Sequence, residues 1–277
     1  MDAIPLPDYE VAPLDNIAPG VKGLQIVFVN VYAVSAPNGG WTLIDAGLYL
    51  SAGKIKRWAE SQFGDGTKPQ AIILTHGHFD HVGAIHGLLE EWDVPVYAHP
   101  DEFPYLTGKV KYPPPDPSVG GGLMAIMSPL YPRTSVDLTD RVLPLPADGS
   151  VATLPGWNYI HTPGHAPGHI SLFRSADKTL IVGDAFCTSK AESFMGAVAS
   201  QKPELHGPPA YYTPDWDSAR QSVEELAALS PVTVAPGHGR PISGNELPNQ
   251  LSLLARDFDR IAVPQHGKYA QKAATSD

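Results

Sequence analysis

The sequence predicts an α/β fold, and two observations carry that prediction. Short runs rich in β-branched and aromatic residues, among them 24–36 and 41–45, alternate with segments of helical apolar spacing such as 51–63. In addition, several apolar runs stop at a His or Asp that has a Gly close by. Polar side chains at strand ends are typical of α/β proteins, which build their sites along one edge of a sheet.

The predicted elements follow one another in a readable order. Residues 24–36 are expected to form a strand, 37–40 a hairpin turn and 41–45 the returning strand. A helix over 51–63 is expected to end at Gly64. The other predicted strands are 71–74, 94–98, 157–160, 180–184 and 232–238. The other predicted helices are 82–92, 217–229 with Asp217 as its cap, and 246–261.

Residues 101–138 are predicted to be an insert of a different kind. The segment is rich in Pro and Gly, yet it also carries aromatic and Met side chains, which disordered segments avoid. A long irregular segment inside a compact fold is usually a functional lid or a disordered stretch. We therefore expect a lid or a dimer contact, with a short helix over 123–131, rather than a plain surface loop. Residues 186–214 are expected to be irregular and the tail 268–277 frayed, and residues 1–277 are predicted to form one domain.

Composition narrows the class of protein. The chain has 277 residues, of which 43% are hydrophobic and 17% charged, and these values fit a globular protein with a sizeable core. No run approaches the roughly 18–20 apolar residues of a membrane span, and the first residues lack a signal-peptide pattern. A single cysteine, Cys187, rules out an internal disulfide, so a cytoplasmic protein is expected. The net charge of −10 disfavours a nucleic-acid partner.

Segment 75–81, Thr-His-Gly-His-Phe-Asp-His, is the densest group of metal-ligand side chains. Neutral imidazole and carboxylate are ligands that zinc binds at about 2.0–2.2 Å. At a strand end, residues two apart point the same way, so His76 and His78 can reach one ion together. If a helix begins at Asp80, then Asp80 and His81 leave the strand axis and can face a second ion.

Three further candidate ligands each follow a strand-like run, with a glycine directly before them. They are His165 in Thr-Pro-Gly-His, Asp184 in Ile-Val-Gly-Asp and His238 in Ala-Pro-Gly-His. His169 follows His165 by four residues and is the candidate to support the ligands from outside the cluster. His161 could also lie near the site, although a structural role is favoured for it, and His99 is expected to be an ordinary structural residue.

The order His-x-His-x-Asp-His, then a lone His, a lone Asp and a lone His, resembles the metallo-β-lactamase superfamily, from Phe28 to about His238. The resemblance implies an αββα four-layer sandwich, with two mixed sheets face to face and helices outside. It also implies two divalent metal ions, with zinc expected and iron or manganese as alternatives. The first ion would be held by His76, His78 and His165, the second by Asp80, His81 and His238, and Asp184 would bridge both. Asp45, in the early Asp-x-Gly turn, would support the ligands or the fold rather than bind.

The same resemblance implies hydrolysis of an acyl bond in a lactone, ester or thioester by a metal-bound hydroxide, with Asp80 as the catalytic residue that steers a proton. The glyoxalase II-like and lactonase-like branches share the ligand set. An iron-dependent sulfur (persulfide) dioxygenase is the alternative, and a β-lactamase or an inactive metal-binding protein is less favoured. Tyr211, Tyr212 and Cys187 are the candidates for contacts with a small-molecule substrate. A homodimer is expected if the insert is a dimer contact.

Overall fold

The structure is a computed structural model, and it describes residues 4–5, 10–11, 14–119, 122–133, 136–190 and 204–270. Within these ranges the strands are β1 (Ile4–Pro5), β2 (Glu10–Val11), β3 (Val21–Ile26), β4 (Val29–Ser35), β5 (Trp41–Ile44), β6 (Ala71–Ile73), β7 (Val96–Ala98), β8 (Val142–Pro144), β9 (Trp157–His161), β10 (Ile170–Arg174), β11 (Thr179–Gly183), β12 (Glu204–Leu205), β13 (Thr233–Pro236) and β14 (Ile242–Ser243).

The strands form two mixed sheets. The first sheet has the order β3-β4-β5-β6-β7-β8 and the second β2-β14-β13-β11-β10-β9, while β1 pairs with β12. In the first sheet the β3–β4 and β4–β5 pairs are antiparallel, and the strands from β5 to β8 run parallel. In the second sheet β11 and β13 are parallel, and the other described pairs are antiparallel.

The helices flank the sheets. In chain order they are α1 (Ala52–Phe63), α2 (Phe79–Val82), α3 (Ile85–Glu91), α4 (Phe103–Leu106), α5 (Leu123–Met127), α6 (Trp216–Ala228), α7 (Leu247–Arg256) and α8 (Phe258–Ile261). Among the described residues, no helix combines the length and the apolar character that crossing a membrane requires.

Alternate residues of a strand point to opposite faces of a sheet, and each face here has its own apolar cluster. Val31 of β4 belongs to the cluster that contains Ile55 of α1, on the outer face of the first sheet. Its neighbour Tyr32 belongs to the cluster that contains Ile181 of β11, between the two sheets. The residue before Ile181, Leu180, belongs to the cluster formed with α6 and α7, on the outer face of the second sheet. The layers are therefore helix, sheet, sheet and helix, which confirms the predicted αββα sandwich.

The predicted strand over 24–36 is wrong in one respect, because two strands occupy it. β3 and β4 pair as a hairpin with Ile26 opposite Val29, and Val27 makes the turn with a φ of 59°. A β-branched residue at positive φ is a genuine outlier, and the run contains no Gly or Pro at this turn. The apolar pattern continues through the turn, so no local signal in the sequence marks it.

Two predicted helices are interrupted, and one predicted cap is wrong. The predicted helix over 82–92 corresponds to α3, which begins only at Ile85, because Val82 is the last residue of the separate helix α2. The helix over 246–261 is divided at Asp257 into α7 and α8. Asp217 lies in the first turn of α6, and the cap is Asp215, whose side chain accepts from the Ser218 backbone N–H. Short breaks leave the apolar spacing of both helices in phase, so spacing alone does not reveal them. The helix over 51–63 is confirmed.

The insert folds against the second half of the chain. α5 lies within the predicted 123–131 helix, and a 3₁₀ turn (Ser128–Leu130) continues it. Met124 packs in one apolar cluster with Tyr211 and Tyr212, whereas the side chain of Ile126 is exposed. A role as a lid or dimer contact stays a prediction. Residues 120–121, 134–135, 191–203 and 271–277, which fall in the insert, the irregular region and the tail, lie outside the described residues.

Candidate metal centre

Each candidate ligand follows the carboxyl end of a strand. His76 and His78 come after β6, His165 after β9, Asp184 directly after β11 and His238 after β13. All of these side chains are buried, although every one is polar. Buried polar groups need partners, so a cluster of this kind demands an explanation.

His76, His78 and His165 form the first group. One nitrogen from each ring lies within 4.8 Å of the others, and Nδ1 of His78 is 2.9 Å from Nε2 of His165. The three rings stand nearly perpendicular to one another, with interplanar angles between 81° and 88°. Because the lone pair of an imidazole nitrogen lies in the ring plane, three such planes can meet at one cation.

Asp80, His81 and His238 form the second group, again with ligand atoms within 4.8 Å of one another. Oδ2 of Asp80 lies 3.4 Å from Nε2 of His238 and 4.0 Å from Nε2 of His81. The helix α2 begins at Phe79. It turns Asp80 and His81 away from the direction of β6, as the sequence predicted.

Asp184 lies between the two groups. Its Oδ2 is 3.4 Å from Nε2 of His165 in the first group and 3.1 Å from Nε2 of His238 in the second. Its Oδ1 is 3.4 Å from Nε2 of His81. One carboxylate therefore faces nitrogens of both groups, the position that a bridging ligand requires.

Asp45 holds the second group in place. Its Oδ2 lies 2.8 Å from Nδ1 of His81, and it accepts hydrogen bonds from the Thr75 N–H at 2.7 Å and the Thr75 hydroxyl at 2.8 Å. Asp45 is outside the candidate ligand groups. A carboxylate behind a histidine fixes the ring tautomer and orientation and raises the basicity of the nitrogen that faces the metal.

Three of the other rings, those of His76, His165 and His238, are held by their outer nitrogens in the same manner. These contacts are Nδ1 of His76 to the Thr75 hydroxyl at 3.1 Å, Nδ1 of His165 to the Thr213 hydroxyl at 3.3 Å, and Nδ1 of His238 to the Phe28 carbonyl at 2.9 Å. His169 has the supporting role that the sequence indicated, because its Nε2 accepts from the Asp184 backbone N–H at 2.9 Å. Asn30 adds a further support, donating from Nδ2 to the carbonyls on both sides of His238, those of Pro236 and Gly239.

The residues present fit a pair of metal ions. Nε2 of His76, Nε2 of His81 and Oδ1 of Asp184 are buried and have no hydrogen-bond partner among the described residues. A buried unsatisfied polar group costs about 1–3 kcal/mol, more when it is charged. Divalent cations would satisfy all three atoms, since zinc and its neighbours accept imidazole nitrogen and carboxylate oxygen together.

The two groups differ in charge. Burial lowers the pKa of His76 and His165 well below the ordinary value, and that of His78 to about 3, so these rings are neutral. Burial acts in the same direction on His238, but the carboxylates of Asp184 and Asp80 outweigh it and raise its pKa to about 9. Burial also acts to lower the pKa of His81, but the carboxylates of Asp184, Asp45 and Asp80 outweigh it and raise that pKa well above its ordinary value. Without metal, the second group is therefore a network of protonated rings and carboxylates.

A further group of the same residue types, His99, Asp101 and His161, lies apart from the centre and is partly exposed. The rings of His99 and His161 are stacked with centroids 4.0 Å apart and only 9° between their planes. One cation cannot lie in two nearly parallel ring planes, so this arrangement does not fit a metal. The stacked arrangement agrees with the structural roles expected for His99 and His161.

The three predicted substrate contacts have different surroundings. The ring of Tyr212 stacks on His78 with centroids 4.7 Å apart, and its hydroxyl is buried without a hydrogen-bond partner among the described residues. Tyr211 is buried beside it in the apolar cluster. Cys187 is fully buried, and its backbone pairs with that of His206, so its side chain offers no surface to a substrate in this structure.

Several residues near the centre were missed from the sequence. Phe28 stacks on His238, with ring centroids 5.9 Å apart. The ring centroid of Tyr131, in the insert, lies 5.0 Å from that of Phe79. Asn30 and Thr213 support ligands, as described above. The concentration of Tyr in the insert was a signal for aromatic contacts, whereas nothing local marked Asn30 or Thr213.

Comparison with known proteins identifies the family. The model of the metallo-β-lactamase superfamily matches residues 24–238, and the chain belongs to that superfamily. It is 50% identical over 246 residues to the probable metallo-hydrolase YflN of Bacillus subtilis (strain 168), covering 88% of this chain and 93% of YflN. It is 30% identical over 117 residues to the hydroxyacylglutathione hydrolase GloC of Haemophilus influenzae, covering 42% of this chain and 49% of GloC.

Solved structures agree with the fold. The crystal structure of TTHA1623 in a di-iron-bound form matches with a TM-score of 0.54 and 28% identity, covering 85% of this chain and 96% of that chain. The crystal structure of BLEG-1, a B3 metallo-β-lactamase, matches with a TM-score of 0.57 and 23% identity, covering 82% and 96%. Members of this superfamily bind divalent metals, and the His and Asp groups described above are the candidates for that role here.

Proposed function

We propose that the protein is a hydrolase with two divalent metal ions that cleaves an acyl bond in a small molecule. The observation that carries the proposal is Asp184, whose carboxylate faces nitrogens of both histidine groups at 3.1–3.4 Å. His76, His78 and His165 would hold the first ion, Asp80, His81 and His238 the second, and Asp184 both. When bound, such ions polarise an acyl carbonyl and lower the pKa of water towards neutrality.

Asp80 is the chain's candidate for proton transfer. In the metal-free protein, burial raises the pKa of its carboxyl group, although His81 and His238 oppose that shift. A bound dication would lower that pKa, and the carboxylate would then accept a proton and later deliver it to the leaving group. This role is the one that the resemblance implied for Asp80.

Tyr212 is the candidate for orienting the substrate. Its ring is fixed against His78, and Asp80 is among the groups that raise the pKa of its hydroxyl, after burial. A buried hydroxyl without a partner is costly, and an acyl oxygen would satisfy it. We therefore assign the Tyr212 hydroxyl a hydrogen bond to the substrate, and we do not extend that role to Cys187.

The expected substrate class is an ester, a thioester or a lactone. The similarity to GloC is distant and covers less than half of the chain, so it supports a thioester only weakly. Zinc suits the ligand set, and the di-iron form of TTHA1623 makes iron the first alternative. A sulfur dioxygenase that uses one iron would leave the second group without a role, which counts against that alternative.

Proton release during turnover tests the proposal. The zinc-loaded and iron-loaded proteins would be assayed with one pH indicator against lactones, thioesters, simple esters and a cephalosporin. We expect turnover of at least one ester, thioester or lactone series with two metals per chain, and little or none with the cephalosporin.

Two variants make the assay specific. Asp184→Asn should abolish turnover, and Tyr212→Phe should lower kcat/KM about 10-fold, which corresponds to about 1.4 kcal/mol. A wild-type protein that binds two metals and hydrolyses nothing in the panel would contradict the proposal. The single domain, the cytoplasmic location and the homodimer stay predictions from the sequence.

A further inference from the structure

Glu102 of the insert is a fully buried carboxylate close behind the first group. It ends the 3₁₀ turn Pro100–Glu102, shortly after β7. Its Oε2 accepts from the Gly77 backbone N–H at 2.8 Å and its Oε1 from the Gly168 backbone N–H at 2.7 Å. The hydroxyl of Tyr112 donates to the same Oε2.

The two backbone donors belong to the two segments that carry the first group. Gly77 stands between His76 and His78, and Gly168 lies in the loop between β9 and β10, which also carries His165. These segments are far apart in the chain and belong to different sheets. Glu102 therefore joins, through one carboxylate, the two segments whose histidines must meet at one ion.

Both positions are glycine because the insert lies directly against them. A Cβ at Gly77 would be 2.6 Å from the Tyr112 hydroxyl and 3.3 Å from Oε2 of Glu102. A Cβ at Gly168 would be 2.7 Å from the Glu102 backbone nitrogen. Real Cβ atoms do not approach backbone or a fixed hydroxyl so closely. The close contact between the insert and these two segments therefore requires glycine at both positions.

Burial raises the pKa of the Glu102 carboxyl group, and the hydrogen bonds from Tyr112, Gly168 and Gly77 oppose that shift. Three donors converge on its two oxygens, and ionised carboxylates accept such bonds strongly because they have no proton of their own. A carboxylate buried without these partners would be strongly unfavourable. Tyr112 also packs its ring against His78 with centroids 4.4 Å apart, and Tyr105 stacks on Tyr112 at 4.1 Å.

We propose that Glu102 is a positioning residue for the first metal ion, which makes the insert part of the metal centre. By accepting from Gly77 and Gly168 together, it fixes the distance between the His76–His78 segment and the His165 loop. This inference rests on the metal centre of the proposed function, and it is independent of which acyl bond is cleaved.

The test measures the affinity of the first site for zinc by competition with a chromophoric chelator. The full-length His238→Ala protein serves as the background, since it retains all three ligands of the first group and lacks one of the second. In that background Glu102→Gln keeps the size of the side chain but places an amide N–H against a backbone donor. Supporting residues of this kind typically contribute 10–100-fold to metal affinity, so we expect the first-site affinity to fall by about that factor.

Asp101→Asn is the matched control. Asp101 is the preceding residue, and its exposed side chain forms no hydrogen bond with Gly77 or Gly168 among the described residues; its ion pairs are with His99 and His161. We expect its first-site affinity to stay within about 3-fold of the background. Cobalt absorption spectra should change with Glu102→Gln and not with Asp101→Asn, a signature that a loss of global stability alone would not produce.

If Glu102→Gln does not fold, Glu102→Asp replaces it, because it keeps the charge but draws the two oxygens back from the Gly77 and Gly168 N–H groups. A lower first-site affinity in the folded Glu102→Asp protein would support the proposal, and an unchanged affinity would overturn it. A folded Glu102→Gln protein with the affinity of Asp101→Asn would overturn it as well. Two bound metals without any hydrolysis would remove the proposed reaction and leave the role of Glu102 intact.

Discussion

Two clusters of histidine and aspartate, built from the same residue types, behave differently in this protein. Around Asp184 the rings are buried and those of the first group are nearly perpendicular, with interplanar angles of 81–88°. In the other cluster, which we call the stacked cluster, the rings of His99 and His161 are partly exposed and lie with 9° between their planes. Residue types alone do not separate the two, but ring orientation and burial do.

Supporting contacts separate the clusters further. The outer nitrogen of His81 faces Asp45 at 2.8 Å, and its inner nitrogen has no hydrogen-bond partner among the described residues. In the stacked cluster, Nε2 of His161 is already 2.8 Å from the Pro167 carbonyl. A site for a metal needs nitrogens that are oriented from behind and left free in front. A ring nitrogen without a hydrogen-bond partner therefore indicates a metal site better than the residue types of a cluster do.

The largest effect is expected for Asp184→Asn. An amide at the bridging position removes a charge that both groups face, so we expect loss of metal from both sites and a fall in activity greater than about 100-fold. Metal analysis after dialysis, with circular dichroism as the check on folding, gives the answer. Asp101→Asn changes the aspartate of the stacked cluster in the same way and should keep two metals. Equal metal content in the two variants would contradict the comparison.

Asp45→Asn should act on the second site through His81. The substitution removes the charge behind Nδ1 and leaves one oxygen for the Thr75 donors, so we expect a 10–100-fold loss of affinity for the second metal.

Asp137→Asn is the matched control for Asp45→Asn. Asp137 accepts from the backbone N–H and hydroxyl of Thr139 at 3.0 Å and 2.6 Å, but it is exposed. A chelator titration that finds the same second-site affinity in both variants would remove the role of Asp45.

Metal binding should depend on pH through His238. Its pKa is raised to about 9, because the Asp184 and Asp80 carboxylates outweigh the effect of burial, so metal-free protein holds this proton at pH 7. A metal must displace that proton, and affinity should therefore rise by up to about tenfold per pH unit until about pH 9. Calorimetry at pH 7 in buffers of different ionisation enthalpy would measure the released proton, and zinc uptake without any release would refute the expectation.

The smallest effect is expected for His161→Ala. The variant removes one ring of a partly exposed stack, a contact of about 0.5–1.5 kcal/mol when fully formed. We expect that order of loss in the free energy of unfolding from denaturant titration, with metal content and activity unchanged. The loss of one bound metal per chain would show that the stacked cluster holds an ion after all.

The sequence predicted most of the fold because its local patterns agree with the tertiary structure. The α1 helix and the strands that precede the ligands lie where apolar spacing placed them. The errors fall where a local break leaves the spacing in phase, as at Val27, which turns the chain at a φ of 59°, and at Asp257 between α7 and α8. Spacing reports which face is apolar, and it does not report a turn made by an unusual residue.

The sequence also indicated the ligand groups and the support from Asp45 and His169. It did not indicate Glu102, Asn30 or Thr213, because each acts on a segment far away in the chain. Glu102 is 25 residues from Gly77 and 66 from Gly168. Such partners leave no local spacing to read.

The sequence by itself determined the order of the elements, the candidate metal ligands and the family, since these depend on residue type and on spacing along the chain. Only the tertiary structure decided which of two His and Asp clusters presents unfilled, converging nitrogens, and which carboxylate of the insert lies behind them. The reason is physical. Ring planes, burial and backbone hydrogen bonds between distant segments arise when the two sheets pack together.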